Sequence, residues 1–199
     1  MDNRLIFKYE PGQTPVDAAE AEALLAPVQT QAELNTWEEE NILAASKWAL
    51  SNRALKLAEP LSEDYLLNLH HRMFSATWAW AGKLRDRDKN IGVPFYKIRI
   101  DLRLLLDDAR YWQENGTYEA DELAVRFHHR LVHIHLFPNG NGRHARLVAD
   151  VLIRKGGRPA FSWGGANLVG VGEARAHYLD ALRAADAGDY TQLITFSRS

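Results

Sequence analysis

The most informative segment of the chain reads His135-Leu136-Phe137-Pro138-Asn139-Gly140-Asn141-Gly142-Arg143-His144-Ala145-Arg146. Apolar residues recur every three or four positions before it, and a second helical pattern follows it and ends near Lys155. Gly140 and Gly142 let the backbone turn tightly and approach a ligand closely. The segment therefore predicts a tight loop between two core helices, the second of which begins at about Gly142.

This loop has the residue types that a phosphate site needs. The free N–H groups and the dipole of a helix N-terminus attract anions. Arg143 and Arg146 are three residues apart and share a helix face, so that two guanidinium groups are available for two phosphates. His135, at the rim of the loop, is placed to take a proton from an incoming hydroxyl. The residues alone leave a second interpretation open, which is an Asn/Gly turn between core helices with surface arginines.

The rest of the chain is mostly helical in pattern. Residues 1–30 are predicted to form an arm and a first helix, and residues 31–199 are predicted to form the main domain. Helical spacing of apolar residues predicts a helix over about residues 34–50, and Ser62 marks the start of another. Residues 90–100 predict a short β-hairpin. The expected fold class is therefore mainly α, a helical bundle with one short hairpin.

Composition excludes several classes of protein. The 199 residues are 46% hydrophobic, contain no cysteine and have a formal net charge of −2. The lack of cysteine excludes a disulfide framework, thiol catalysis and thiolate metal sites, and the balanced charge does not indicate a general nucleic-acid surface. The sequence has no run approaching the ~18 apolar residues that suggest a membrane span, and no signal-peptide pattern. We therefore expect a cytoplasmic protein that does not act at a membrane.

The segment resembles the Fic motif, H-x-F-x-[D/E]-G-N-G-R-x-x-R, at every fixed position but one. The matching residues are His135, Phe137, Gly140, Asn141, Gly142, Arg143 and Arg146. At average amino-acid usage, chance matches in a chain of this length number on the order of 10⁻⁷. The similarity extends over roughly residues 35–197. The chain is thus similar to Fic-type nucleotidyltransferases, and the fold implied is a Fic-type helical bundle whose hairpin is a flap.

The resemblance implies a role for each matching residue. His135 would be the general base for the hydroxyl of a target side chain, and Phe137 would anchor the loop in the core. The remaining positions would bind the nucleotide, with the loop backbone at the α-phosphate and the guanidinium groups at the β- and γ-phosphates: Gly140, Asn141, Gly142, Arg143 and Arg146. The flap at residues 90–100 would register the target segment. The implied partners are ATP as substrate and a protein with an acceptor hydroxyl, with self-modification included.

Asn139 stands where the motif has Asp or Glu. In the family, that acid helps to bind the Mg²⁺ that bridges the nucleotide phosphates. An amide oxygen can still be a ligand, but it lacks a charge worth up to about 4 kcal/mol at ~4 Å and an effective dielectric near 20. We therefore expect Mg²⁺ as a weakened cofactor, with Asn139 either a ligand or a helix cap. The variant also resembles a branch of the family called mobile mystery protein B, which is associated with mobile elements.

The N-terminal helix contains a second family pattern, [S/T]-x-x-x-E-[G/N]. Thr36, Glu40 and Asn41 match it, and Thr36 and Glu40 lie one turn apart on the same face. The resemblance implies an inhibitory helix in which Glu40 pairs with Arg146 and removes the partner of the γ-phosphate. The alternative is a solvated acidic run.

Three functional hypotheses follow. The first is an autoinhibited transferase that moves AMP from ATP to a protein hydroxyl. The second is a catalytically weak nucleotide-binding or toxin–antitoxin-type interaction protein, which Asn139 favours. The third is phosphotransfer as in the family's Doc branch, but that branch has lysine at the position of Gly142. Each is compatible with a homo-oligomer.

Two further groups of residues have more than one interpretation. The histidines of the segment before the motif could bind a metal, although hydrogen-bonded helix histidines are the preferred explanation: His128, His129, His133 and His135. The basic residues around the flap could meet an acidic target, a nucleic acid or only solvent: Lys83, Arg85, Arg87, Lys89, Lys97 and Arg99.

Overall fold

A computed structural model describes residues 16–165 and 172–199, and most of these residues are helical. The α-helices of the described residues are α1 (Ala18–Ala21), α2 (Gln31–Ala49), α3 (Asn52–Leu57), α4 (Glu63–Phe74), α5 (Ile98–Asn115), α6 (Ala120–Ile134), α7 (Asn141–Lys155), α8 (Glu173–Asp186) and α9 (Thr191–Arg198). Residues 1–15 of the predicted arm and first helix lie outside the described residues.

The sequence explains why α2 begins where it does. Thr30 is the N-cap residue, and its hydroxyl accepts a hydrogen bond from the N–H of Glu33 while the Glu33 carboxylate accepts one from the N–H of Thr30. This reciprocal capping box satisfies two N–H groups that the helix itself leaves unpaired. The buried face of α2 includes Leu34, Ala45 and Ala49. The helix therefore covers the predicted span and faces the core.

Two groups of buried apolar residues hold the helices together. The larger one is formed by residues of α2 and of α4 to α7, and Leu66, Leu102 and Phe127 in it are fully buried. The smaller one lies between α6, α7, α8 and α9 and includes Tyr178 and Leu193. Because α6 and α7 contribute to both groups, the loop that joins them is held between two cores.

The structure corrects the predicted β-hairpin. Residues 90–94 are irregular, Phe95–Lys97 form one turn of 3₁₀-helix, and Ile98 already begins α5. Ile98 and Leu102 are buried one helical turn apart, so the spacing that looked like strand alternation belongs to the start of a helix. The described residues contain one isolated antiparallel bridge, between Leu24 and Trp78, and no strand.

Within residues 16–165 and 172–199, none of the helices combines the length and the apolar content that crossing a bilayer requires.

Candidate active site

The loop between α6 and α7 is closed by the side chain of Asn141. Its Oδ1 accepts a hydrogen bond from the N–H of Phe137 at 2.9 Å, and its Nδ2 donates to the carbonyl of Phe137 at 2.8 Å. Gly140 is the N-cap residue of α7 with φ of 79°, and a Cβ there would stand 2.5 Å from Cζ of Phe74. Only glycine fits this position, because both the backbone conformation and the space exclude a side chain.

His70 of α4 packs against the loop and is hydrogen-bonded to its backbone. Its ring stacks on Phe137 with centroids 3.6 Å apart. The N–H of Gly82 donates to its Nδ1 at 2.9 Å, so the ring proton is on Nε2, which donates to the carbonyl of Asn139 at 3.1 Å. Burial, followed by the electrostatic interaction with nearby His144, holds the pKa of His70 well below its usual range. A neutral histidine therefore fixes the backbone of the loop.

His135 ends α6 in the left-handed conformation, with φ of 60° and ψ of 65°. This backbone conformation is uncommon for residues other than glycine and is found where the surroundings enforce it. The residue is only 4% exposed. Burial, and then the positive charge of Arg85, lower the pKa of the His135 imidazole to about 4. At neutral pH the ring is therefore uncharged, which is the form that can accept a proton.

Arg85 joins the segment after Gly82 to the loop. Its side chain is fully buried, and Nε donates to the carbonyl of His135 at 2.6 Å, while Nη2 donates to the carbonyl of Val93. A Cβ on Gly92 would stand 2.5 Å from Cβ of His135, so the backbone of the flap lies directly against this residue. One buried guanidinium thus fixes both the flap and the backbone of the candidate base.

Arg143, in the first turn of α7, is held by a carboxylate of α2. Its Nη1 lies 2.6 Å from Oε2 of Glu38, and the other carboxylate oxygen accepts a hydrogen bond from Nε1 of Trp78 at 2.7 Å. Glu38 is 8% exposed. Charge-assisted hydrogen bonds of this length are strong, so the arginine that the sequence assigns to a phosphate has a carboxylate partner in this structure.

Arg146 lies one helical turn after Arg143, against α8. Its guanidinium carbon is 5.4 Å from the ring centre of Tyr178. Its Nη1 is 3.7 Å from the point at which a Cβ on Gly142 would stand. Since Gly142 has no side chain, the Arg146 guanidinium can reach along the helix toward its N-terminus. The two motif arginines therefore both lie in the first two turns of α7, but they contact different helices.

The predicted inhibitory residues all lie on α2, but their contacts differ from those that the family pattern implies. Glu40 and Thr36 are exposed, and the Thr36 hydroxyl donates to the carbonyl of Ala32 one turn earlier. Asn41 donates to the carbonyl of Trp37 and lies 3.5 Å from the hydroxyl of Thr77. Within the described part of the chain, the structure does not bring Glu40 to Arg146.

The residues present do not form a good site for a divalent cation. Oδ1 of Asn139 accepts a hydrogen bond from the N–H of Gly140 at 2.6 Å, which makes it a loop acceptor rather than a charged ligand. Glu38, the carboxylate at Arg143, is already bound to that arginine and to Trp78. Among the described residues, no three His, Asp or Glu side chains are grouped so that they could hold a metal ion. Mg²⁺ prefers one or two carboxylates, so the expected Mg²⁺ site lacks its principal ligand type.

Two of the other histidines and several of the basic residues around the flap have partners within the protein. Nε2 of His128 is 3.0 Å from the hydroxyl of Tyr178, and Nε2 of His129 is 2.8 Å from Oδ1 of Asp186. The basic cluster is partly neutralised internally, since Lys89 pairs with Glu20, Arg87 with Asp86 and Arg99 with Glu63.

The sequence patterns did not indicate the contacts that Glu38, His70 and Arg85 make with the motif segment. A signal for Glu38 was present, because it lies four residues after Leu34 and seven before Ala45 on the buried face of α2. His70 and Arg85 act through contacts with residues 69 and 50 positions away, which local patterns do not indicate.

A buried neutral histidine and a helix N-terminus with two arginines thus lie at opposite ends of one loop in a helical protein. Comparison with known proteins identifies the family: the model of the Fic/DOC family matches residues 60–153, and the chain belongs to that family. Protein adenylyltransferase Fic of Drosophila grimshawi is 31% identical over 157 residues, which are 76% of this chain and 30% of that relative. This chain therefore spans less than a third of that relative's length.

Solved structures agree on the fold. Fic-1 of C. elegans (residues 134–508, E274G) has a TM-score of 0.66 at 23% identity, covering 89% of this chain and 51% of that one. BepC of Bartonella tribocorum with bound AMPPNP has a TM-score of 0.66 at 16% identity, covering 92% and 97%.

Proposed function

We propose that this chain transfers AMP from ATP to a hydroxyl group of a protein. The observation that carries the proposal is the placement of neutral His135 and the arginine-flanked start of α7 at the two ends of a loop that Asn141 closes. The name of the Drosophila relative and the AMPPNP in the BepC structure support this assignment.

The proposed reaction is a displacement at the α-phosphorus of ATP. The target hydroxyl oxygen forms a new bond to this phosphorus, the bond to the bridging oxygen breaks, and pyrophosphate leaves. His135 Nε2 or Nδ1 takes the proton of the hydroxyl, which is why a neutral imidazole is needed. The N–H groups at the start of α7 stabilise charge on the α-phosphate, while Arg143 and Arg146 stabilise charge on the leaving phosphates. The flap held by Arg85 would position the target segment beside His135.

We also propose that α2 inhibits the transfer. The family pattern assigns this role to Thr36, Glu40 and Asn41, but the carboxylate that engages a motif arginine is Glu38. While Glu38 is bound to Arg143, that guanidinium is unavailable to the nucleotide, and a carboxylate beside it repels phosphate. Inhibition by Glu38 through Arg143 therefore replaces the expected pairing of Glu40 with Arg146 as our proposal.

A second candidate function is nucleotide binding without turnover, as in an interaction protein of the toxin–antitoxin type. Asn139 favours it, since this position has an amide where the motif has a metal-binding acid. The fold and the arginines would serve either function, so the reaction product is what distinguishes them.

The test is mass spectrometry of the full chain after incubation with ATP, in the wild type and in Glu38→Gln. We expect an AMP adduct on the chain or on an added acceptor protein, stronger in Glu38→Gln and absent when His135→Ala is added. Bound nucleotide without adduct, even when Glu38→Gln is combined with Asn139→Asp, would reject the transferase and support the binding protein.

A further inference from the structure

The donor set around Asn139 disagrees with the metal that the family implies. Its side-chain Oδ1 accepts from the N–H of Gly140, and its main-chain carbonyl accepts from Nε2 of His70. Both oxygens therefore shape the loop, and neither has a formal charge. The carboxylate at Arg143, that of Glu38, is held by an arginine and a tryptophan.

The groups that surround the start of α7 are instead suited to an anion. Gly140 is the N-cap residue and has no side chain to cap the helix, so the first N–H groups of α7 remain for other acceptors. Arg143 and Arg146 flank this helix end. Replacing the acid of the motif by an amide makes this cradle more positive by one unit of charge.

We infer that this cradle binds a nucleotide polyphosphate as a free anion, without a divalent cation held by the protein. The inference rests on the proposed nucleotide function and deepens it by naming the ligand form. A carboxylate at position 139 would repel a metal-free polyphosphate, and a bridging cation would relieve that repulsion. An amide does not repel the phosphates, so the cation is not needed to bring protein and nucleotide together.

The test is calorimetric titration of the full chain with α,β-methylene-ATP, whose α–β bridge cannot be cleaved and which therefore avoids turnover, at constant ionic strength with either EDTA or Mg²⁺. The proteins are the wild type, Asn139→Asp and Asn139→Ala, each with and without Glu38→Gln so that Arg143 is measured both held and released. Asp preserves the acceptor for the N–H of Gly140, exchanges the amide N–H₂ for a second oxygen and adds the charge. Ala removes the acceptor and adds no charge, so it is the matched control.

We expect the wild-type dissociation constant to agree within about threefold between EDTA and Mg²⁺. We expect Asn139→Asp to bind at least about tenfold more weakly in EDTA than in Mg²⁺, and Asn139→Ala to remain insensitive to the metal. Wild-type binding that is lost in EDTA and restored by Mg²⁺ would overturn the inference and leave the proposed function standing. An Asp variant as insensitive as the wild type would also overturn it. No binding in either buffer, with or without Glu38→Gln, would overturn both.

Discussion

Two glutamates on α2 are competing candidates for the inhibitory residue, and a single charge removal at each distinguishes them. Glu38→Gln removes the charge that holds Arg143, while the new amide oxygen can still accept the hydrogen bond from Trp78. Glu40→Gln makes the same chemical change two residues further along the same helix, at an exposed position. The pair is therefore matched in helix propensity and in charge, and differs in contact with the motif.

The structure sets the size of the expected effect. A hydrogen bond to a charged group contributes about 1.5–3 kcal/mol net. The Arg143 side chain is 20% exposed and that of Glu38 is 10% exposed, so water screens the pair slightly and the lower part of this range applies. A nucleotide that no longer has to displace Glu38 should gain about 1.5–2 kcal/mol. This corresponds to a dissociation constant roughly 10- to 30-fold lower.

The assay is calorimetric titration of α,β-methylene-ATP, whose α–β bridge cannot be cleaved, into the wild type and both variants, with thermal unfolding to show that each is folded. The dissociation constant of Glu38→Gln should be roughly 10- to 30-fold lower than that of the wild type. That of Glu40→Gln should stay within about twofold of the wild type. If Glu40→Gln gains affinity and Glu38→Gln does not, the family pattern is right and the contact with Arg143 is not inhibitory. If neither variant gains affinity, α2 does not inhibit nucleotide binding.

Two further predictions concern stability. Burial lowers the pKa of His128 and His144 to about 3 and, together with the charge of Arg85, that of His135 to about 4. Between about pH 6.5 and 4 the unfolded chain therefore binds more protons than the folded one, and stability falls as the pH is lowered, by about 2 kcal/mol per histidine from pH 7 to 5. Burial raises the pKa of Asp150 to about 7, so protonation of this carboxyl stabilises the fold as the pH is lowered and offsets the loss from about one histidine. Urea unfolding at pH 7 and pH 5 measures the net loss of stability. Equal free energies of unfolding at the two pH values would contradict the lowered histidine pKa values. Arg85→Met should lower the free energy of unfolding by about 3 kcal/mol or more, because the carbonyls of His135, Val93 and Ile134 lose their donor. A change under about 0.5 kcal/mol in the same urea unfolding measurement would show that the guanidinium does not hold the flap.

The helices and the loop of the site were predictable because their causes are local. The buried positions of α7, such as Val148 and Val151, repeat with helical spacing, and the glycines of the loop mark the turn before it. The start of α5 was not predictable, because over so few residues the spacing of the apolar side chains fits both the strand period and the helix period. These side chains are Val93, Phe95, Ile98 and Ile100. Burial of Ile98 against the core settles the choice in favour of the helix.

The contact between Glu38 and Arg143 could not be read from the family pattern because that pattern fixes spacing and not direction. Consecutive helix positions point about 100° apart, so Glu38 and Glu40 face different surroundings. Glu38 faces inward because Trp78, 40 residues later, offers a donor for its carboxylate, while Arg143 offers a counter-charge. The signal available in the sequence was the apolar spacing of α2 and not the match of the motif.

The shape and the charge of the motif loop are set by different residues. His70, Phe137 and Asn141 fix the path of the backbone, through a ring stack and hydrogen bonds that do not involve a formal charge. Asn139 contributes the acceptor for the N–H of Gly140 to that path, and an aspartate could supply the same acceptor. Asn in place of the acid of the motif can therefore change how the site binds a cation while the fold remains that of the family. For this reason Asn139→Asp should change the metal dependence of nucleotide binding without shifting the thermal midpoint by more than a few degrees, and a large shift in that midpoint would mean that the charge also disturbs the loop.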